Sequence, residues 1–384
     1  MRNVWKRKPT EHATEVLIRN SSMEEMMMRY CVSLLALCAV TATVAPVSLV
    51  AAQTASGTSG AWVVPRTADG HPDLQGNWTN VTLTPLERRS GEGLILTPEE
   101  VTRIEQGQAD DVVATTQASD PNREPPPAGG TDPVCIDGPR TCYNSVYIDP
   151  GERVAVVNGE PRGSLITFPS DGRIPGLTPE AQQRAEEYQE FRSGFGPYDH
   201  VELRPLSERC FAWTISSGPP MFPNGWYNNN YTIVQTADHL MIMTEMVHDA
   251  RIIRIGSGPR LPDHIRPWMG DSWGHWDGDV LVVETTNFHP MQELPGYWEQ
   301  PGLFSDNFKV IERFSRIDQE TILYEFEIDD PTTYTEPWGG EIPMKALDGQ
   351  LYEYACHEGN YSLEGILGGA RYQERVEAQN QDEQ

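Results

Sequence analysis

Three of the nine histidines stand where side-chain type and spacing could support acid–base chemistry. The first lies in Glu245-Met246-Val247-His248-Asp249-Ala250-Arg251. An imidazole beside a carboxylate titrates near neutral pH and can serve as general acid or base, the carboxylate orienting it. Arg251 would hold an anionic group or a developing oxyanion. If residues 239–248 form a strand, Glu245 points away from His248, so both reach one cavity only if the chain bends near Met246–Asp249. The plainer alternative is a turn capped by Asp249, with Arg251 salt-bridged on the surface.

The second histidine, His275, lies between Trp273 and Trp276 in Asp271-Ser272-Trp273-Gly274-His275-Trp276-Asp277-Gly278-Asp279. Two indole faces beside an imidazole would floor a sugar, an aromatic ring or a terpenoid. Otherwise the ring packs and donates to a backbone carbonyl. The third, His357, precedes Glu358 in Cys356-His357-Glu358-Gly359-Asn360-Tyr361. Adjacent strand residues face opposite ways, so only one enters a given cavity unless the strand has ended, as Gly359 suggests. Tyr227-Asn228-Asn229-Asn230-Tyr231 adds amides that either tie an irregular loop or present donors and acceptors to a ligand, with loop-tying expected for at least two of the three.

The candidate catalytic residues are therefore His248, Asp249, Arg251, His357 and Glu358. The candidate substrate contacts are Asn229, Tyr231, Glu245, Trp273, His275, Trp276 and Tyr361. His248, His275 and His357 with Asp249 or Glu358 would suffice as ligands for a divalent metal, although no His-x-His or His-x-x-x-His spacing pre-forms such a site. No organic cofactor is expected, because dinucleotide and phosphate-loop signatures are absent. A Gly-x-Ser-x-Gly elbow is absent too.

The elements that would position these groups are mainly strands. Ile233–Gln235, Leu240–Met246 and Arg251–Ile255 follow one another across short polar turns, and Val280–Thr286 follows an Asp-Gly hairpin centre. Around Phe308–Ser315 both faces are mixed, whereas Tyr324, Phe326 and Ile328 alternate cleanly with Glu325, Glu327 and Asp329. Val154–Val157 and Ser164–Phe168 are expected to pair around Asn158-Gly159, and Leu351–Cys356 to form the last strand. Thr97-Pro98-Glu99-Glu100 and Thr178-Pro179-Glu180 start two short helices, ending near Gln106 and Phe191. This predicts an antiparallel meander, closed or nearly closed into a barrel, with long N-terminal loops.

Arg29 precedes an apolar run from Tyr30 to Val50 that ends in Ala51-Ala52, the pattern of a signal peptide over residues 1–52; a single membrane anchor is the alternative. A linker (53–61), one β-barrel domain (62–370) with loop and helix insertions at about 97–230, and a polar tail (371–384) complete the organisation. The expected location is periplasmic or secreted, with no stable membrane span after cleavage. A net charge of −27 repels phosphate backbones, so the expected partner is a small molecule and not nucleic acid. Of the cysteines beyond the leader, Cys135 and Cys142 flank an Asp-Gly-Pro turn that suits a local disulfide, while Cys210 and Cys356 form a long-range bridge or stay as thiols.

Tyr227–Tyr231, Glu245–Arg251, Gly274–Asp279 with Thr285–Phe288, Asp329–Thr333 and Tyr352–Tyr361 together resemble a family of exported bacterial proteins without an established activity. At the level of fold, Gly76-Asn77-Trp78 at the first strand is similar to lipocalin-like barrels, where the Trp plugs the barrel floor. Such barrels include ligand carriers and cofactor-free hydratases, isomerases and cyclases. Titratable groups clustered beside aromatic strands point to a cofactor-independent lyase, hydrolase or isomerase acting on a small ring-containing molecule such as a glycoside or terpenoid; the alternatives are a non-catalytic carrier of a hydrophobic small molecule and a structural envelope protein with a polar, well-tied surface.

Overall fold

Alternation of large apolar and polar residues builds the molecule. The computed structural model describes residues 62–116, 149–223, 229–294, 297–301 and 305–382. Ten strands form its main sheet: β1 (Gly76–Thr79), β2 (Ile166–Phe168), β3 (Asn230–Gln235), β4 (His239–Thr244), β5 (Ala250–Ile255), β6 (Asp271–Asp277), β7 (Val280–Thr286), β8 (Lys309–Asp318), β9 (Thr321–Asp329) and β10 (Trp338–Ala346). Nine of them, all but β2, close into a barrel when β1 pairs with β10 as well as with β3. β2 lies along the other half of the same β10 edge, through Gly339 and Gly340. A Cβ on Gly340 would collide with the Leu165 carbonyl, and one on Gly339 with the Phe168 ring, so the glycines admit this close approach.

The barrel is mixed. All neighbouring strands run antiparallel except β5 and β6, which pair in parallel through Arg254–Trp273 and Ile255–Gly274. The meander is broken there because residues 256–270 carry the chain back before β6 begins, as a parallel neighbour requires.

Period two fills the interior. Ile322, Tyr324, Phe326 and Ile328 of β9 are buried, as are Leu281 and Val283 of β7 and Ile342 and Met344 of β10. Trp78 is buried, its indole N–H donating to the Leu74 carbonyl at 3.0 Å and Arg316 lying 4.9 Å over its ring. β8 departs from its expected mixed character: Phe308, Val310, Glu312 and Phe314 are all buried, so one face is internal and Glu312 lies on it.

Several local expectations change. Asn158-Gly159 turns with positive φ at both residues, yet it joins Val156–Val157 to Glu160–Pro161, leaving β2 free to pair with the barrel. Helix α1 runs over Pro98–Thr115, past the expected end at Gln106; Thr97 and Glu100 form a reciprocal capping box at its start. Helix α2 spans Pro179–Ser193 behind its Thr178 cap. Residues 351–355 form no strand and lead into a short helix, Cys356–Gly359. The polar tail is helical as well: α3 runs over Tyr361–Asp382 and crosses the expected boundary at 370 without a break. The Cys210–Cys356 disulfide is present, with Cα atoms 5.8 Å apart. Cys135, Cys142 and the leader lie outside the described residues.

Candidate functional site

β4 ends at Thr244 and β5 begins at Ala250, so five residues must reverse the chain. Thr244 N–H donates to the Asp249 carbonyl at 2.8 Å, Glu245 N–H to the Asn230 carbonyl at 3.0 Å, and His248 N–H to the Glu245 carbonyl at 3.1 Å. Met246–His248 form a 3-10 turn in which Val247 and His248 have φ of 63° and 49°. Two successive left-handed residues, one of them β-branched, cost roughly 1–3 kcal/mol each and persist only where surrounding contacts enforce them. The bend that would let this segment present its polar groups together is therefore built.

Around the turn sits an outer set of polar contacts. Glu245 is buried; one carboxylate oxygen accepts from the Asn230 amide at 2.7 Å and the other from Tyr352 N–H at 2.9 Å. Asp249 accepts from the Ser217 hydroxyl at 2.7 Å. Burial pushes the Asp249 carboxyl above the usual carboxylate range, against the opposing pulls of the Ser217 hydrogen bond and the His248 charge. His248 Nδ1 lies 2.9 Å from the Tyr354 carbonyl. A carbonyl only accepts, so Nδ1 carries a proton, and whenever the ring is neutral its lone pair lies on Nε2. Asn229 is buried and ties backbone, its amide donating to the Asp149 carbonyl at 3.3 Å and its own carbonyl accepting from Asn80 N–H at 3.0 Å. Tyr227 and Asn228 lie outside the described residues.

Beneath this set, the barrel encloses an ion pair. Arg251 and Glu312 are 3% and 0% exposed at their side chains and form two parallel hydrogen bonds of 2.6 and 2.7 Å. Burial pulls the Arg251 guanidinium down, but the Glu312 charge and hydrogen bonds outweigh it and hold it above its usual value. Tyr324 donates to Glu312 at 3.1 Å and accepts from Met221 N–H at 3.0 Å. Burial, then the Glu312 charge, pushes its phenol well up. Tyr231, likewise raised by burial, accepts from the Asn80 amide at 3.1 Å. Arg251 Nε and Asn80 Oδ1 are buried without a hydrogen-bond partner among the described residues. Arg251 is thus neither a surface salt bridge nor a free clamp at a cavity mouth, because Glu312 fills its fork.

The other candidates fall elsewhere. On β6, His275 and Trp273 face outward while Trp276 faces the other way, since residues an odd number apart alternate. His275 is exposed, Trp273 lies under the Arg254 guanidinium at 4.2 Å, and Trp276 stacks on His71 at 4.7 Å. The three side chains therefore form no common floor. His357 and Glu358 are exposed on the Cys356–Gly359 helix, and Tyr361 is exposed at the start of α3. This C-terminal segment does reach the turn, but through the backbone of Tyr352 and Tyr354, with the Cys210–Cys356 bridge beside it. His248, His275 and His357 are all exposed and do not gather around one apolar cavity. Among the described residues no three His, Cys, Asp or Glu side chains form a metal-ligating group. A cavity of about 460 Å³ begins at Tyr354, the residue His248 leans on, and is lined further by Glu208, Asn360, Leu363 and Ile366.

Glu312, Tyr324, Ser217 and Asn80 were not among the sequence candidates. Glu312 carried a signal: it alternates in phase with Phe308, Val310 and Phe314, an acid on an apolar face. Ser217 and Asn80 carried none, as each meets its partner far along the chain, 32 residues away for Asp249 and 151 for Tyr231. Comparison with known proteins finds no matching family model, curated protein or solved structure.

Proposed function

We propose that the protein is an exported enzyme that works without an organic cofactor, as a lyase, hydrolase or isomerase, on a small ring-containing molecule such as a glycoside or terpenoid. The reaction would take place at the Glu245–Arg251 turn. His248 acts as the base through Nε2, and Asp249, whose carboxyl burial keeps easier to protonate than usual, is the partner acid. Arg251 contributes through the electrostatics of the Arg251–Glu312 pair and makes no direct contact with substrate. His357 remains a second candidate base on the neighbouring segment. Export is supported by the leader pattern and by the disulfide, which belongs to an oxidising compartment.

The observation that carries this reading is the left-handed backbone at Val247 and His248. In that turn the His248 ring is held at the Tyr354 carbonyl, and the next residue, Asp249, has a half-buried carboxyl of raised pKa bonded to Ser217. Perturbed titratable groups held by strained backbone concentrate at sites of chemistry. The alternative, a carrier using the inside of the barrel, is less favoured because Tyr231, Tyr324, Phe308, Phe314, Phe326 and Trp338 fill that interior.

The test is turnover of a mixed glycoside and terpenoid panel by the wild type, His248→Ala and His357→Ala. Loss of general acid–base catalysis lowers kcat/KM by about 10²- to 10⁴-fold. Turnover unchanged in both variants removes both imidazoles from the reaction.

A further inference from the structure

The outward face of β10 is the floor of a second cavity, remote in chain position from the Glu245–Arg251 turn. Ile342 and Met344 fill the barrel, so Pro343 and Lys345 between and after them point out. Helix α1 and residues 153–161 cover this face and leave a space of about 750 Å³ lined by Val81, Leu96, Val101, Val154, Ala155 and Pro343. That volume lies within the ~300–1,000 Å³ range of small-molecule sites, and its walls are mainly apolar.

The charges at this cavity are unequal. Glu105 is already engaged, accepting from Arg153 at 2.8 Å and from Val154 N–H at 3.2 Å. Lys345 also lines the cavity but makes no ion pair among the described residues; its ammonium donates to the Thr321 hydroxyl at 2.7 Å. In a chain of net charge −27 with only two lysines beyond residue 60, Lys309 and Lys345, an ammonium without a carboxylate is notable. Lys309 has its carboxylate, Asp329, at 2.8 Å.

We infer that this cavity binds an amphipathic monoanion, a fatty-acid-like carboxylate whose chain lies against Val101, Val154 and Pro343 and whose head meets Lys345 at the exposed lip. Arg153, the other cation at the cavity, is neutralised by Glu105; apolar burial supplies the affinity, and Lys345 supplies the preference for an acid over the matching alcohol. The site is independent of the acid–base chemistry proposed for the turn, and its occupant would be carried, not converted.

The experiment is calorimetric titration of the purified full chain with dodecanoate, decanoate, octanoate and dodecanol. Affinity should rise about fourfold per added methylene, and dodecanoate should bind at least tenfold more tightly than dodecanol. Lys345→Glu should abolish that preference, and Lys345→Gln should reduce it, dodecanoate affinity falling much further than dodecanol affinity in both. Val101→Trp, which fills the cavity, should weaken both ligands at least tenfold. Unchanged circular dichroism and urea midpoints establish that the variants are folded; the conservative Lys345→Gln decides the charge arm if the glutamate variant is not. Absence of saturable binding, equal affinity for acid and alcohol, or binding indifferent to Val101→Trp would each overturn the assignment. Concentration-dependent self-association relieved by Val101→Trp, with no competition from dodecanoate, would make a second copy of the chain the occupant and equally overturn it.

Discussion

Replacing Glu312 with glutamine keeps the shape of the side chain and removes its charge. Arg251 then remains inside the barrel, 3% exposed, facing an amide that cannot neutralise it. An exposed pair of this kind would lose at most about 1 kcal/mol. For a desolvated pair, taking away one partner costs about 3–5 kcal/mol, because the remaining charge is left uncompensated. Tyr324 sharpens the effect, since its hydroxyl donates to the same carboxylate at 3.1 Å and would face a weaker acceptor. Against a total stability of about 5–15 kcal/mol, the loss is a large fraction. With a urea slope near 3 kcal/mol per molar, it lowers the midpoint by about 1–2 M at unchanged slope.

The companion variant Arg251→Met with Glu312→Leu removes both charges together. Apolar replacement of a buried pair is commonly neutral or stabilising by about 1–4 kcal/mol, so the double variant should melt at or above the wild-type urea midpoint while Glu312→Gln falls well below it. Urea titration followed by tryptophan fluorescence reads both. A Glu312→Gln shift under about 0.3 M, or a double variant no better than the single, would refute the description of this pair as desolvated and mutually dependent.

Cys356→Ser opens a link that spans 146 residues; the chain-entropy estimate for such a loop is about 5 kcal/mol, and a loss of about 2–5 kcal/mol is expected in non-reducing urea titrations. Asp249 titrates higher in the folded chain than in the unfolded one, so its contribution to stability is present at acid pH and is lost as pH rises through its folded value. Asp249→Asn should therefore show a flatter fall of the urea midpoint between acid and neutral pH than the wild type; identical slopes would rule out a raised carboxyl. Gly340→Ala should destabilise by about 1–3 kcal/mol, as its methyl group pushes against the Leu165 carbonyl and lifts β2 from the seam; a thermal midpoint unchanged from wild type would contradict that packing.

The barrel was legible because strands such as β9 alternate cleanly and because Asp277-Gly278 sits where a hairpin must turn. Closure, complete or nearly so, was expected from that pattern, but the strands that make it were not, since pairing of β1 with β10 joins residues more than 260 positions apart and no local pattern encodes it. The β5–β6 parallel pair was hidden for the same reason: strand direction depends on the route of residues 256–270, not on either strand. At the C-terminus, the aromatic alternation of Tyr352, Tyr354 and Cys356 suggested a strand, but the segment docks on the Glu245 turn by single backbone contacts and then becomes helical. For the site, the Glu245–Arg251 bend was foreseeable from the conflict between strand alternation and clustered polar groups. The buried partner of Arg251 was missed because Glu312 was grouped with both faces of its strand instead of with the apolar one. Trp273, His275 and Trp276 illustrate the opposite error, in which adjacency in sequence stood in for adjacency in space.

The interior ion pair also explains how the outer groups of the turn come to face as they do. Arg251 can meet Glu312 only if β5 directs odd-numbered residues inward, which places Ile253 in the core and leaves Ile252 more than half exposed. A slip of one residue would bury Ile252, expel Arg251 and strand Glu312 without a partner, so the pair disfavours the alternative register strongly. Because Asp249 is extended and lies two residues before Arg251, the same alternation turns its carboxyl toward Ser217, whereas His248, in the left-handed turn, reaches the Tyr354 carbonyl. An apolar Met/Leu pair would preserve folding while removing that penalty. If the pair sets the register of the turn, the double variant should be as stable as wild type yet lose the pH-dependent stability contributed by Asp249, because the carboxyl is no longer held in its half-buried position.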